Sequence, residues 1–452
     1  MSATVHSLAA RLRESAPRLA AKKAVAGFDG FVDSIVKVVM HKGDHAGAAE
    51  NAATTYFQTI GEFGQYIVGK KGAGLSLETE ELFQKAGGNM PIMAGALAEL
   101  GVPVDCIGAM GMPGLHPAFA ALHPRCRPFS FANPGFTTAL EFSDGKLFLA
   151  QMKELNKSDW NVIKKTVSLD TIVGCYQHSD LVCLLNWSEV DASGDIWAGI
   201  LRDVIPTLDR AAAHPPHAAE GEAASKREGT GSRPGPAGRE RQFFFDLSDC
   251  SKRSPGAIRE ALRLVEQFGR AGQVILSLNR NEAKVLYRAL TKGGIIPEIG
   301  QVGKADDRGE GHEHAENPDN EQGGDRDPEH GEDPEFLGTA LCKLLYTDML
   351  VIHTSGISYA WYEGSVYSSK PLFIPAPMLS TGAGDHFNAG FCSGLLMGFD
   401  PGLSLSLANL VAGFYMTNGR SPSIEALIAN IPEETGPETS GSEKQAGSAG
   451  MD

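Results

Sequence analysis

The sequence predicts an α/β fold with a mostly parallel central sheet and a small β lid. Three observations carry this reading. Short runs rich in Val, Ile, Leu and Phe recur at 24–28, 104–110, 180–186, 243–247, 274–279 and 349–354. Continuous apolar runs of that length suit strands buried on both faces. Helical patterns lie between them, at 91–100, 193–205, 255–270, 281–291, 334–346, 382–397 and 402–418. Strand–helix alternation is the pattern of parallel α/β units. The third observation is "FTTALEFSDGKLFLA" at 136–150, which alternates around Ser-Asp-Gly as a hairpin does.

The chain has 452 residues, 42% of them hydrophobic, which is ample for a large core. The alternation runs from 24 to 430 as one domain, with the lid expected near 33–60 and 130–150. Residues 1–23 form a separate extension, read as a short docking helix. Two segments break the pattern. Residues 212–241 are rich in Pro, Gly, Ala and charge, and 302–335 are polar and acidic. Neither has enough apolar residues to offset the entropy of ordering, so both read as disordered insertions, as does the tail at 431–452.

The net charge of −15 is unevenly placed. Residues 304–335 carry a net −10 and 433–452 a net −4, leaving −1 for the rest. The acidity therefore belongs to insertions and tail. No basic stripe offers itself to nucleic acid. No apolar run reaches the roughly eighteen residues of a membrane-spanning helix. The seven cysteines are scattered without a CxxC pair, which fits a reducing, cytoplasmic setting and argues against a zinc site. "GAMGMPG" at 108–114 lacks the G-x-G-x-x-G spacing of a dinucleotide fold.

Five stretches carry candidate chemistry. In "LSTGAGDHFNAGF" (379–391), small residues open a helix. The amides of Gly382, Ala383 and Gly384 then lack intrahelical acceptors and face outward with the positive end of the helix dipole behind them. Without bulky side chains, such a mouth admits a phosphoryl group. Asp385 beside it is placed to take a proton from an attacking hydroxyl. A plain Gly-rich turn with an acid near a helix start is the alternative. In "KAGGNMPIMAGALAELGV" (85–102), Gly87-Gly88 precede Asn89 and a helix with Pro91 in its first turn.

In "AGFDGFVDSIVKV" (26–38), Asp29 and Asp33 follow the end of a strand, where carboxylates meet ligands in α/β sheets. In "LSLNRNEAKVL" (276–286), Asn279 ends a strand and Glu282 lies in the first helical turn. Alone that is an ordinary N-cap with an acid near the dipole. Thr354-Ser355-Gly356 forms a turn after a strand. "NWSE" (186–189) and "DLSD" (246–249) also follow strands, but no role is assigned to Asn186, Glu189, Asp246 or Asp249.

The stretch at 379–391 resembles the C-terminal signature of the ribokinase-type (PfkB) carbohydrate kinases, D-T-x-G-A-G-D-x-F-x-A-G-F. The match runs through Gly382, Ala383, Gly384, Asp385, Phe387, Ala389, Gly390 and Phe391. The resemblance covers roughly 24–430 apart from the insertions. It implies a three-layer αβα ribokinase-like domain and ATP-dependent phosphorylation of a sugar or sugar-like hydroxyl. Asp385 would be the general base and Gly382–Gly384 the anion hole.

Gly87-Gly88 resemble the family's sugar-side G-G-x-x-x-N-x-A motif, whose Asn falls on Ile92, with Asn89 an alternative donor. Asp33, and Asp29 beside it, would bind sugar hydroxyls. Asn279 and Glu282 match the family's N-x-x-E motif, which organises Mg2+, usually through water. Thr354 and Gly356 resemble its T-x-G nucleotide loop, whose second Gly is Tyr359 here. By the same analogy Asn409 and Gly413 would border adenine. The pattern's first Asp, which helps build a monovalent-cation site in the family, is Leu379, which leaves potassium dependence open. A homodimer is also left open, since lids in this family pair between subunits. A nucleoside kinase and a non-catalytic sugar or nucleotide sensor are the alternatives.

Overall fold

The computed structural model describes residues 2–41, 54–208, 241–291, 333–371, 374–375 and 377–431. The fourteen strands are β1 (Ala24–Gly27), β2 (Phe31–His41), β3 (Thr55–Tyr56), β4 (Thr79–Gly87), β5 (Val104–Gly108), β6 (Cys126–Ser130), β7 (Gly135–Phe142), β8 (Gly145–Gln151), β9 (Leu181–Leu184), β10 (Gln242–Asp246), β11 (Gln273–Asn279), β12 (Met349–His353), β13 (Ser358–Tyr362) and β14 (Ser365–Ser369). The helices are α1 (Ser2–Ser15), α2 (Ile60–Gly69), α3 (Asn89–Leu100), α4 (Trp160–Val167), α5 (Leu169–Gln177), α6 (Ser193–Asp203), α7 (Pro255–Phe268), α8 (Arg280–Thr291), α9 (Pro334–Cys342), α10 (Ala383–Leu396), α11 (Pro401–Asn418) and α12 (Ile424–Ala429).

The apolar runs become a nine-stranded sheet in the order β14-β13-β12-β11-β10-β9-β1-β5-β6. From β12 to β6 every pairing is parallel. Side chains alternate across such a sheet, so each strand feeds two cores. Ala24, Ala26, Cys106, Leu181, Cys183 and Phe244 pack on one face with α3, α10 and α11. Val25, Ile107, Val182, Leu184, Phe243 and Phe245 pack on the other with α4 to α9. The three-layer arrangement expected from the sequence is therefore present.

The lid is a separate sheet. β2 pairs in parallel with β7, which turns through Ser143-Asp144 into antiparallel β8. Along its other edge β2 takes β4 and the short β3, both antiparallel. The hairpin at 136–150 was legible; β4 was not foreseen. Its first six residues are exposed, so it lacks the alternation that marks a half-buried strand. A second unforeseen hairpin joins β13 to β14 through Glu363-Gly364. Both turn residues have positive φ, 48° and 76°, as a type I′ hairpin turn requires.

Two boundaries are corrected. The acidic insertion was drawn to 335, but Asp333 caps α9, accepting from the amides of Glu335 and Phe336 at 3.3 and 3.4 Å. That helix ends at Cys342, not 346. The expected disordered stretches at 212–240, 302–332 and 432–452 lie outside the described residues, as does 42–53 of the expected lid. The N-terminal extension is α1 followed by a short 3-10 helix, Ala16–Ala21. Leu8, Leu12 and Leu19 are buried in the same core as α3 and α11. No described helix is long and apolar enough to cross a membrane.

Candidate active site

The carboxyl ends of β1, β9, β10, β11 and β12 lie side by side. Each delivers a polar side chain at or just past its end: Asp246, Asn279 and His353 close β10, β11 and β12, and Asp29 and Asn186 follow β1 and β9 by two residues. Open parallel sheets bind ligands at this edge because helix N-termini point there. Two of those helices, α3 and α10, pack against each other.

α10 begins at Ala383, with Gly382 as its N-cap at φ 92°. A left-handed N-cap favours glycine, and a Cβ here would also press on Tyr415 Oη at 3.1 Å. The amides of Gly382 and Gly384 meet no protein acceptor among the described residues. The Ala383 amide differs from expectation, because it donates to the Ser380 carbonyl at 3.1 Å in a tight turn. The amides left without an acceptor at this helix mouth, among the described residues, are therefore those of Gly382 and Gly384. His353 lies against it, its Cε1 only 3.4 Å from where a Cβ on Gly384 would stand.

Asp385 follows in the first turn, 9% exposed, and its Oδ1 has no hydrogen-bond partner among the described residues. A buried oxygen without a partner is costly unless a ligand supplies one. Burial, reinforced by the carboxylates of Asp246, Asp29 and Glu282, holds the Asp385 carboxyl well above the ordinary range. Once ionised, such a group is a stronger base than an exposed aspartate.

Glu282 and Asn279 form a reciprocal cap. The Asn279 amide and Nδ2 donate to Glu282 Oε2 and Oε1 at 2.8 and 2.7 Å, and Glu282 N donates to Asn279 Oδ1 at 2.9 Å. The Asn279 side chain is thus engaged in orienting Glu282. Burial, followed by the charge of Asp246, pushes Glu282 up to about 8. Asp246, which sequence reasoning left without a role, is raised to about 6 by burial. Its Oδ2 accepts from Asn388 Nδ2 at 2.8 Å and its Oδ1 from Ser248 N at 2.8 Å. Asn388 Oδ1 accepts from Ser277 Oγ at 2.8 Å. Asn388 was also missed; its only sequence signal was a polar residue inside an apolar helix.

The two N-terminal aspartates separate. Asp29 is fully buried and caps α3, accepting from the amides of Asn89 and Met90 at 2.8 Å each, and from Asn186 Nδ2 at 2.5 Å. Both oxygens are engaged by protein donors, so Asp29 holds the start of α3 beside the site. Burial lifts it to about 6. Asp33 is only half-buried and faces Gly87, whose hydrogen is all that fits beside the carboxylate. Lys85 lies directly across from Asp33 in the lid register. Burial raises Asp33, while the Lys85 charge and a bond from Thr137 oppose that. Gly88, at φ 93°, brings the backbone over Asp29 and Phe31. Asn89 Nδ2 donates to Ser248 Oγ at 3.0 Å.

The expected nucleotide residues are tied up locally. Thr354 Oγ1 accepts from the amides of Gly356 and Ile357 at 3.0 and 2.9 Å, closing its own turn. Asn409 is buried; it accepts from Ser358 Oγ at 3.1 Å and donates to the Ser369 carbonyl at 3.2 Å. It fastens α11 to the β13–β14 hairpin. Gly413 lies on the same helix, facing Ile374. A cavity of about 1390 Å³ lies away from all of this, lined by Arg13, Glu99, Arg125 and Glu425. Glu99 sits near the carboxyl end of α3, the end opposite the site.

A parallel sheet covered on both faces, a β lid, and a Gly-Ala-Gly-Asp helix mouth together define a ribokinase-type carbohydrate kinase. The model of the prokaryotic ketohexokinase family matches residues 2–218 and 326–433. A ketohexokinase from Haloferax volcanii is 26% identical over 426 residues, 92% of this chain and 93% of that protein. The solved structure of Arabidopsis thaliana ribokinase complexed with ribose and ATP shares the fold, with TM-score 0.53, 14% identity, and coverage of 91% of this chain and 98% of that one. A carbohydrate kinase from Agrobacterium tumefaciens does so with TM-score 0.50 and 15% identity, covering 91% and 97%. The chain belongs to the prokaryotic ketohexokinase family, and it is an ATP-dependent carbohydrate kinase.

Proposed function

We propose that the acceptor is a ketohexose, that Asp385 takes the proton of the attacking hydroxyl, and that the Gly382 and Gly384 amides hold the moving phosphoryl group. The observation that supports this most is the buried Asp385 Oδ1, without a partner among the described residues, at the same helix mouth as two amides without acceptors among them. The Haloferax relative, named a ketohexokinase and matched over nearly its whole length, supports the acceptor class.

Phosphoryl transfer needs little covalent chemistry from the protein, so positioning and charge stabilisation carry the rate. Asp33 on the lid would orient the acceptor over Gly87-Gly88. Asp385 would accept the proton as the hydroxyl attacks. The amides would meet charge on the transferred oxygens, with His353 packed behind them. Asp246 and Asn388 would hold α10 in register with β10.

Magnesium fits the donor set. Asp246 and Glu282 raise the proton affinity of the buried Asp385, and Asp246 raises that of Glu282; a hydrated cation nearby would relieve that repulsion. Among the described residues no three His, Cys, Asp or Glu side chains are close enough to hold a metal directly. Glu282 would therefore hold Mg2+ through water, where the ion supplies charge neutralisation to the nucleotide phosphates. The exposed apolar residues of the lid, Phe83, Phe148 and Leu149 among them, support pairing of lids in a homodimer.

The test is ATP-dependent phosphorylation across ketohexoses, aldoses and nucleosides. Turnover confined to nucleosides contradicts the acceptor assignment.

A further inference from the structure

His386 follows the catalytic aspartate, and its ring stacks on Tyr415 of α11 with centroids 3.7 Å apart and planes 13° from parallel. Its Nδ1 lies 2.7 Å from the Gly382 carbonyl and its Nε2 lies 2.8 Å from Ser421 Oγ. A carbonyl only accepts, so Nδ1 carries the proton. Burial lowers the imidazole to about 4, so the ring is neutral and its Nε2 accepts from Ser421. Tyr415 Oη donates to the next carbonyl back, Thr381 O, at 2.8 Å. One stacked pair therefore grips both carbonyls of the loop that opens the anion hole.

That grip has a geometric consequence. The Thr381–Gly382 peptide is trans, so its C=O and N–H point in opposite directions. Fixing Thr381 O on Tyr415 aims the Gly382 N–H the other way. The Gly382–Ala383 peptide is also held by backbone bonds, from Ala383 N to Ser380 O and from His386 N to Gly382 O at 3.1 Å each. The Thr381–Gly382 peptide, by contrast, has Tyr415 as its holder, and Gly382 at φ 92° has the freedom to let that plane turn without it. Hydrogen bonds to a carbonyl also polarise the N–H of the same peptide, making it a better donor.

We infer that His386 and Tyr415, braced by Ser421, are positioning residues that set the orientation of the Gly382 amide toward the transferred phosphoryl group. This rests on the proposed anion hole. Among the described residues neither ring hydrogen-bonds Asp385 or Asp33, so the pair's effect is expected on kcat and not on sugar binding.

Two variants test it. Tyr415→Phe keeps the ring and removes only the hydroxyl. His386→Phe keeps a stacking ring and removes both nitrogens. Turnover is measured per folded molecule, well below the melting transitions, with wild type and Asp385→Asn as controls. Each variant is expected to lower kcat about 10- to 100-fold, as small displacements of positioning groups do, with sugar KM within about twofold. The double variant is expected to be no slower than the worse single one, since both act on one loop.

A folded variant that keeps more than a tenth of wild-type kcat overturns the inference, as does a loss confined to sugar KM. Should His386→Phe fail to fold, Tyr415→Phe decides alone. Failure of the kinase reading itself is distinct: wild type would then be inactive, or Asp385→Asn fully active.

Discussion

Asn388 Nδ2 donates to Asp246 Oδ2 at 2.8 Å across 142 residues of chain. The bond ties the second turn of α10, three residues past the proposed base, to the end of the central strand β10. Neither partner is exposed, so the bond forms in a low dielectric where an unpaired group is costly.

Asn388→Ala leaves a carboxylate oxygen of Asp246 and the hydroxyl of Ser277 without their partner. A loss of about 1–3 kcal/mol in urea unfolding is expected from the unpaired groups. Turnover should fall as well, because α10 loses its register against β10. Unchanged stability and unchanged kcat contradict the network.

Gly87→Ala places a methyl group on the Asp33 carboxylate. If Asp33 orients the acceptor, the substitution raises sugar KM at least about tenfold, a loss of about 1.4 kcal/mol in binding. KM for ATP should stay within about twofold. An effect on ATP alone would move the sugar site elsewhere.

Asp29→Ala separates the two neighbouring aspartates. Asp29 accepts from the amides of Asn89 and Met90 at the start of α3, and leaving such donors without their partner costs about 1–3 kcal/mol. The expected result is lower thermal stability with no selective change in sugar KM. A selective rise in sugar KM at unchanged stability would restore Asp29 to the substrate.

Burial holds Glu282 at about 8 against 4.5 and Asp246 at about 6 against 3.8. The folded chain therefore keeps protons that the unfolded chain has released, over a window of about pH 4 to 8, and linkage makes stability fall as pH rises through it. Urea midpoints of the ligand-free protein should be lower at pH 8 than at pH 5. Glu282→Gln removes the largest of these contributions and should flatten the slope. An unaltered slope in that variant contradicts the assignment.

The parts of this fold that were legible share one property: their signal is local. β1, β9 and β10 are short apolar runs because each is buried on both faces. The helix mouth at Gly382–Asp385 is a contiguous motif. β4 was illegible because its solvent-facing residues carry no core pattern, and β13–β14 because Thr354-Ser355-Gly356 drew the reading toward a phosphate loop. Asp246, Asn388, His386 and Tyr415 were missed for a different reason. Their partners lie far away in sequence, and no spacing rule reaches from Asp246 to Asn388. Asp29 and Asp33 look alike in sequence; only the position of α3 tells the fully buried carboxylate that holds its amides from the half-buried one.

The central claim is that Asp385 is the base of a ketohexose kinase. It is tested most directly by single-turnover transfer of phosphate from ATP to a ketohexose in the presence of magnesium, comparing wild type with Asp385→Asn. The predicted result is transfer by wild type and a loss of about 10²- to 10⁴-fold in the variant, the usual worth of a general base. Equal rates in the two proteins would contradict the role of Asp385, and no transfer to any ketohexose by the wild type would contradict the acceptor.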